Sequence, residues 1–129
     1  GKGEISTETG ALNKAPYGFA SRFGDDTKAT NPEEILAAAH AACFAMACSL
    51  ACGGAGITTE TVDTTAKVRL MAEGGGFKIS RIALTLTAKV PGISEDQFQK
   101  IAAEAKAGCP LSKALASVPE ITLTATLVK

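Results

Sequence analysis

The sequence lacks tryptophan, has one tyrosine and one histidine, and shows no excess of either charge. Lys and Arg together number 13, as do Asp and Glu, and the charges are scattered along the chain. Proteins that bind nucleic-acid phosphates need a clustered basic surface, so we expect no nucleic-acid partner. We also find no apolar run close to the roughly 20 residues that a membrane-spanning helix requires, and therefore expect no membrane partner.

Cysteine is present but does not form the framework of a small secreted scaffold. The four cysteines lie at positions 43, 48, 52 and 109, and no CxxC pair occurs. Cys48 and Cys52 share a helix face, but a structural zinc site would need two further ligands. No signal peptide is visible, and the opening "GKGEIST" carries no methionine, which is consistent with removal of an upstream segment. We predict a reducing, cytoplasmic compartment.

No linker or low-complexity segment interrupts the chain, so we predict one domain over residues 1–129. Its N-terminal third has the pattern of short strands at "GEIST" and "GALN", followed by an extended stretch at "PYGFASRF". Much of the apolar content is alanine, which lets backbones approach closely and leaves space for a partner subunit. The whole order of sheet, long helix, hairpin, helix pair and final strand predicts an α+β fold.

The segment "TNPEEILAAAHAACFAMACSLACGGAG" predicts a long helix. Asn31 is the expected N-cap, Pro32 takes the first helical position, acidic residues follow, and Gly53 and Gly54 end the helix. About 21 residues at 1.5 Å each give a length near 30 Å. Nearly all of its faces are small or apolar, so we expect this central helix to be buried on most sides.

The remaining segments predict a hairpin, two helices and a strand. In "TTETVDTTAKVRLMAE" apolar residues alternate, as in a half-buried strand. In "FKISRIALTLTAKV" the apolar positions change from odd to even numbers, which predicts a β-bulge near Ser80 and Arg81. Ser94 and Gln97 form a capping box before the helix "EDQFQKIAAEAKA". The short helix "PLSKALAS" and the alternating strand "EITLTATLVK" complete the chain.

The cysteines differ in their sequence settings. Cys48 and Cys52 lie in an alanine-rich helix, where a free cysteine behaves as a small hydrophobe, so we expect both in the core. Cys109 lies between a glycine that stops one helix and a proline that starts another, where backbone N–H groups favour a thiolate. Cys43 lies about eleven residues past its helix start, beyond the reach of the helix dipole. Composition alone therefore leaves open whether Cys43 is a core residue or a nucleophile.

A reactive Cys43 needs a cation from elsewhere, because burial raises the pKa of a thiol. Arg22 in "ASRFGD" is the candidate, since a guanidinium stays charged in a dry pocket and can hold a carboxylate as well. Arg69 and Arg81 fall in strand patterns and are expected to face solvent. His40 is a second possible activator, but an i,i+3 pair on one straight helix points both side chains outward in parallel. We therefore favour packing over catalysis for His40.

Three motifs, "TNPEEILAAAHAACFAMA", "APYGFASRF" and "AKAGCPLSKAL", resemble those of the OsmC branch of the OsmC/Ohr family (osmotically inducible protein C and organic hydroperoxide resistance). The resemblance runs from about residue 3 to the end, in order and with the family's spacing. It implies an intertwined α+β homodimer, with antiparallel sheets around a long buried central helix and active sites at the subunit interface. It also implies a thiol-dependent peroxidase that reduces alkyl or lipid hydroperoxides to alcohols without a metal or organic cofactor. The implied reductant is a dithiol of the dihydrolipoyl type.

The resemblance also implies the roles of four residues. Cys43 in "AACF" matches the peroxidatic cysteine and Cys109 in "AGCP" the resolving cysteine, which form an intrasubunit disulfide. Arg22 matches the arginine that stabilises thiolate and peroxide, and Glu33 matches the carboxylate that orients it. Glu33 and Cys43 are ten residues apart, about 15 Å along a straight helix, so we expect the carboxylate to come from the second subunit. The family's further N-terminal strand is missing here, which we expect to weaken the dimer and the pocket wall.

Three other interpretations stay open at this point. A non-catalytic module on the same fold would bind a hydrophobic small molecule in the apolar interface pocket, although binding alone requires neither cysteine nor the Arg22 and Glu33 pair. A Cys–His hydrolase would use His40 as its base. A purely structural protein is the generic alternative for any α+β domain.

Overall fold

The computed structural model of the protein describes residues 2–128. The elements are, in order, β1 (Lys2–Ile5), β2 (Ala15–Gly18), α1 (Phe19–Phe23), α2 (Pro32–Gly54), β3 (Thr61–Glu73), β4 (Gly76–Lys89), α3 (Glu95–Gly108), α4 (Pro110–Ala114) and β5 (Glu120–Val128). The chain forms two compact units, Gly1–Leu36 and Ala37–Lys129. The α+β class predicted from the sequence is confirmed.

The first unit contains an antiparallel pair of short strands, β1 and β2. The strand predicted at "GALN" is wrong, because these residues belong to the loop between β1 and β2. Within that loop the Thr7 N–H donates to the Leu12 carbonyl at 2.8 Å, and Gly10 has a φ of 80°, which suits glycine. The prediction of an extended "PYGFASRF" holds only for β2, since α1 follows at once. Ser21 Oγ accepts a hydrogen bond from the Gly18 N–H at 3.1 Å, which closes the first turn of α1.

The long helix α2 begins and ends where the sequence predicts. It runs from Pro32 to Gly54 over 23 residues, and Asn31 Oδ1 accepts a hydrogen bond from the Glu34 N–H at 2.8 Å. The expectation that α2 is buried on most sides is wrong for the single chain. Met46 and Leu50 are 73% and 79% exposed, because the core lies against one face only. The buried residues of α2 are His40, Ala41, Phe44, Cys48 and Cys52.

By length and composition, α2 is also apolar enough to cross a membrane. The expectation that no run approaches that length is therefore wrong. The core helix of a soluble protein passes the same test, and α2 contributes Phe44, Cys48 and Cys52 to the hydrophobic core. The absence of a membrane partner stays a prediction.

The second unit contains a three-stranded sheet in the order β3-β4-β5. β3 and β4 are antiparallel, whereas β5 pairs with β4 in parallel, so this sheet is mixed rather than antiparallel throughout. A parallel neighbour needs a crossover connection, which α3 and α4 provide. Arg69 pairs with Arg81 and Leu70 pairs with Ile79. No residue of β3 therefore stands opposite Ser80, which confirms the predicted bulge.

The core of this unit lies where α2, α3 and the sheet contribute apolar side chains. Ser94 Oγ accepts the Gln97 N–H at 3.2 Å, which confirms the predicted N-cap of α3. α4 is shorter than predicted, since it ends at Ala114. The buried cluster consists of Phe44, Cys48, Cys52, Ile82, Leu84, Leu86, Ala88, Val90, Phe98, Ile101, Ala102, Ala105 and Cys109.

Candidate active site

Two of the four cysteines lie side by side in the second unit. Cys43 Sγ and Cys109 Sγ are 2.9 Å apart, and both are free thiols. A disulfide bond is about 2.05 Å long, so an approach of about 0.9 Å would allow the two sulfurs to bond. Cys43 is partly exposed, whereas Cys109 is fully buried. A small molecule can therefore reach the sulfur of Cys43 before that of Cys109.

Cys109 lies at the start of α4, where several donors surround its sulfur. Burial opposes its ionisation, but hydrogen bonds from the Cys43 thiol, from the backbone N–H and hydroxyl of Ser112, and from the Leu111 backbone outweigh burial and lower its pKa. This agrees with the expectation that backbone N–H groups at the helix start favour a Cys109 thiolate.

Cys43 has the opposite electrostatic setting. Its hydrogen bond with Cys109 raises its pKa, the Leu111 backbone N–H lowers it, and burial raises it further. The net shift is upward. The sequence-based expectation that the helix alone does not activate Cys43 therefore agrees with its surroundings, and ionisation of Cys43 requires a positive charge in addition.

His40 lies in the core beside the cysteine pair. It is fully buried, and its Nε2 lies 2.8 Å from Ser112 Oγ. The packing role favoured for His40 agrees with this burial. Ser112, however, was missed by sequence reasoning. The available signal was its position three residues after Cys109 in "CPLS", because the third residue of a helix faces back toward the N-cap.

Arg22 and Glu33 form a bidentate ion pair in the first unit. Arg22 Nε lies 3.1 and 3.2 Å from the two carboxylate oxygens, and Nη2 lies 2.6 Å from Oε1. The hydrogen bond with Glu33 raises the pKa of Arg22, so the guanidinium stays charged. Arg22 Cζ also lies 5.2 Å from the centre of the Phe23 ring, within cation–π range.

The ion pair holds Arg22 at the wall of an apolar cavity. This cavity has a volume of about 330 Å³ and is lined by Lys2, Tyr17, Gly18, Phe19, Arg22 and Pro32. Phe19 also stacks on Phe23, with ring centres 6.2 Å apart, and is 62% exposed. Two cationic side chains, Lys2 and Arg22, thus lie beside aromatic and aliphatic surface, which suits a ligand with an apolar body and a polar end.

The predicted site residues thus meet as two pairs, one in each unit. Cys43 with Cys109 forms in the second unit, and Arg22 with Glu33 forms in the first. Cys48 and Cys52 lie in the core, as expected. Within residues 2–128, no group of three or more His, Cys, Asp or Glu side chains could hold a metal ion.

This α+β chain has two neighbouring free thiols and, separately, an arginine that forms an ion pair with a carboxylate. These features are typical of a thiol-based redox protein. A family model described as OsmC-like protein matches residues 24–124, and the chain belongs to this family. It is 54% identical over 123 residues to "Peroxiredoxin OsmC" of Escherichia coli, covering 95% of this chain and 84% of that protein. The recognition of the OsmC/Ohr family from sequence motifs is confirmed.

Further relatives agree in sequence and in fold. The chain is 36% identical over 98 residues to "Organic hydroperoxide resistance protein OhrA" of Bacillus subtilis, covering 74% of this chain and 67% of that protein. A crystal structure of an organic hydroperoxide resistance protein OsmC from Legionella pneumophila has a TM-score of 0.77 at 29% identity, covering 95% of this chain and 88% of that one. One from Elizabethkingia anophelis also has a TM-score of 0.77, at 30% identity over 97% and 88% of the two chains.

Proposed function

We propose that this protein is a two-cysteine peroxidase that reduces organic hydroperoxides to alcohols. The observation that carries the proposal is the 2.9 Å separation of the Cys43 and Cys109 sulfurs, with only Cys43 open to solvent. The names of the relatives, peroxiredoxin and organic hydroperoxide resistance protein, support a peroxidase of this substrate class.

In the first step, the Cys43 thiolate attacks one peroxide oxygen. The O–O bond breaks, the other oxygen takes a proton and leaves as the alcohol, and the sulfur is oxidised to sulfenic acid. In the second step, the Cys109 sulfur attacks Cys43 Sγ and forms a disulfide. The hydroxyl group leaves Cys43 as water, after taking up the proton that Cys109 gave up. An external dithiol, for which we retain the dihydrolipoyl type, then returns both cysteines to thiols by exchange.

Arg22 supplies the positive charge that Cys43 lacks in its own unit. A guanidinium beside the sulfur lowers the pKa of the thiol and binds the polarised peroxide, and Glu33 holds that guanidinium in place. Glu33 and Cys43 are ten residues apart in sequence, which is about 15 Å along a straight helix. We therefore assign Arg22 and Glu33 of one subunit to the Cys43 of its partner in a homodimer.

The surroundings of Arg22 favour an alkyl or lipid hydroperoxide over hydrogen peroxide. The apolar cavity at Arg22 has Tyr17, Phe19 and Pro32 in its wall, and these can bury an alkyl chain. Hydrogen peroxide gains nothing from such a surface, because the gain scales with the apolar area removed from water. We keep the reducing cytoplasm as the proposed compartment.

The test is to mix the reduced protein with one equivalent of cumene hydroperoxide or of hydrogen peroxide and to map thiols by peptide mass spectrometry. We expect a Cys43–Cys109 disulfide that forms faster with the organic peroxide. Cys109→Ser should instead accumulate a Cys43 sulfenic acid that a dimedone probe captures. Cys52→Ala is the matched control and should behave as the wild type. A Cys43 that stays an unreactive thiol would contradict the proposal and favour the non-catalytic binding module.

A further inference from the structure

A further cavity lies in the unit that carries the cysteine pair and has no role in the reaction described so far. It has a volume of about 680 Å³ and is lined by residues of α3, α4, β5 and the segment between α4 and β5. This volume falls within the range of roughly 300 to 1,000 Å³ that small-molecule sites occupy. Ala107 and Ser112, on either side of Cys109 in sequence, line the cavity, whereas Cys109 itself is fully buried. A ligand in this cavity would therefore not touch the sulfur of Cys109.

Most of the lining of this cavity is apolar. β5 forms one edge of the three-stranded sheet, and its residues Ile121 and Leu123 are half-buried and line the cavity together with Val118. The remaining apolar lining consists of Ala103, Ala107 and Ala116. These small side chains leave room for an alkyl chain, and the removal of apolar surface from water would favour its binding.

The charged part of the lining has a single sign. Lys106 in the last turn of α3 and Lys113 in the last turn of α4 both line the cavity, and within residues 2–128 no carboxylate does so. The ion pairs found in the same part of the chain involve neither of these lysines. Charge complementarity therefore favours an anionic group beside the two ammonium groups.

Two hydrogen bonds hold the walls of the cavity in place. Gln99 Nε2 in α3 donates to the Ala125 carbonyl of β5 at 2.8 Å. Ser112 Oγ in α4 lies 2.8 Å from Nε2 of the fully buried His40 in α2. Each of these bonds joins elements that are far apart in sequence, so the cavity is already formed without a ligand. Binding therefore does not have to order the walls, which lowers its free-energy cost.

We propose that this cavity binds an aliphatic carboxylate, such as a medium-chain fatty acid anion. Its alkyl chain lies against Ile121 and Leu123, and its carboxylate lies beside Lys106 and Lys113. The two lysines select the anionic head group, and the apolar lining selects the chain. This site is distinct from the cavity at Arg22, and its occupation does not depend on the proposed peroxidase reaction.

A nuclear magnetic resonance titration of the reduced, isotope-labelled protein with sodium decanoate tests the site without peroxide. The amide signals of Lys106, Lys113, Ile121 and Leu123 should shift. From hexanoate to decanoate, the dissociation constant should fall about fourfold for each methylene group added, as for a chain that leaves water. Acetate, which lacks the chain, and decyltrimethylammonium, which reverses the charge, should each bind about tenfold more weakly than decanoate or worse. Salt at about 0.5 M should weaken the binding of decanoate, because it screens the two lysines.

Variants of the lining locate the site. Lys106→Gln and Lys113→Gln should each weaken the binding of decanoate about three- to fivefold, and together about tenfold, since each removes one partly exposed charge contact. Lys100→Gln is the matched control, because Lys100 is exposed on α3 and does not line the cavity. Ala103→Phe fills the cavity from an exposed helix position and should abolish binding. Ala114→Phe, at an exposed position outside the lining, should bind decanoate as the wild type does.

Three outcomes would overturn the proposal. Signal changes confined to Tyr17, Phe19 and Arg22 would place the ligand in the other cavity. Equal affinity of the wild type and the double lysine variant, or equal affinity for decanoate and decyltrimethylammonium, would show that the lysines recognise no anion. If no compound binds and Ala103→Phe turns a sedimenting dimer into a monomer, a second copy of the chain covers the cavity instead. Cys43→Ser should bind decanoate as the wild type does, so failure of the peroxidase proposal would leave this one standing.

Discussion

At the scale of single residues, Cys43 and Cys109 differ in solvent exposure and in pKa. Cys109 has the lowered pKa but is fully buried, and Cys43 is open to solvent but has a raised pKa. Neither thiol therefore combines access with ionisation in the surroundings of its own unit. For the proposed peroxidase, Cys43 therefore needs a guanidinium from elsewhere, and we expect the geometry of Arg22 to set the rate of the first step.

The geometry of Arg22 is tested by Arg22→Lys, which keeps the charge but loses the two-pronged hydrogen bond to Glu33. We expect kcat/KM for cumene hydroperoxide to fall about 10- to 100-fold, because an ammonium cannot hold the carboxylate and the peroxide at once. Steady-state kinetics measure the effect. Arg81→Lys is the matched control, since Arg81 forms a half-exposed pair with Glu120, and its kcat/KM should stay unchanged. Full activity of Arg22→Lys would mean that charge alone is sufficient.

Cys48 gives a prediction about stability and pH. Burial raises its pKa to about 12, with smaller contributions from Cys52 and Cys109. Above about pH 8.5 the unfolded chain loses this proton while the folded chain keeps it, so the folded state is destabilised as pH rises toward 12. Between about pH 8.5 and pH 11, the urea midpoint should fall further for the wild type than for Cys48→Ala. Ser49→Ala, at the neighbouring exposed position, should follow the wild type, and parallel curves for all three proteins would show that Cys48 ionises normally.

At the scale of elements, Asn31 connects the start of α2 to α1. Its Oδ1 accepts the Glu34 N–H at 2.8 Å, and its Nδ2 donates to the Ser21 carbonyl at 3.0 Å. These bonds fix the turn of chain that brings Arg22 opposite Glu33. The ion pair is therefore held by the local fold of the first unit and not by the two charged side chains alone.

Replacing Asn31 tests this connection. Asn31→Ala should lower the free energy of unfolding by about 1 to 2 kcal/mol, because it removes the N-cap and leaves the Ser21 carbonyl without its donor. Asn31→Asp keeps the acceptor and loses the donor, so its loss should be smaller. Chemical denaturation measures both. Asn13→Ala, at an exposed loop position, is the control and should change stability by less than about 0.5 kcal/mol. Equal stability of all four proteins would contradict the role of Asn31.

The elements also show what sequence patterns can and cannot predict. The helix start at Asn31, the bulge at Ser80 and the cap at Ser94 follow from local chemistry, and each is confirmed. The helix α1 has five residues, too few for a periodic pattern, and the turn at "GALN" is held by hydrogen bonds such as that from Thr7 to Leu12, which no periodicity predicts. The His40–Ser112 contact was missed for a different reason, because it joins residues 72 positions apart.

The candidate site was predictable only in part from physical reasoning on residues. The position of Cys109 before a helix indicated its lowered pKa, and the distance of Cys43 from its helix start indicated that the helix does not activate it. The pairing of the two sulfurs and of Arg22 with Glu33 came from the family resemblance, because short motifs far apart in sequence carry no distance information. Their contacts agree with that resemblance, while their roles in catalysis stay predictions.

At the scale of the whole molecule, one face of α2 lacks a partner within residues 2–128. Phe44, Cys48 and Cys52 face the core, whereas Met46 and Leu50 are mostly exposed. Large exposed apolar side chains on a helix are typical of an interface. We propose that a second copy of the chain covers this face, which would also explain why the helix is apolar on nearly all sides.

The dimer can be tested together with the assignment of Arg22 to the partner's Cys43. Cys43→Ser and Arg22→Ala chains should each be inactive alone. Refolded together in equal amounts, they should recover about a quarter of wild-type activity, since half of the dimers are mixed and each mixed dimer has one complete site. The control is Cys43→Ser refolded with a Cys43→Ser, Arg22→Ala double variant, which offers no reactive cysteine and should stay inactive.

Analytical ultracentrifugation measures the oligomeric state independently of activity. The wild type should sediment as a dimer, and the Met46→Glu, Leu50→Glu double variant should sediment as a monomer. The free energy needed to bury two carboxylates in an apolar interface exceeds the stabilisation from the contact. The monomer should retain the circular dichroism of the wild type, since both side chains lie outside the core. It should lose peroxidase activity if Arg22 acts on the partner's Cys43. A dimer whose mixed chains show no recovered activity would place Arg22 and Cys43 of the same chain in one site, and a fully active monomer would contradict both the interface and the shared site.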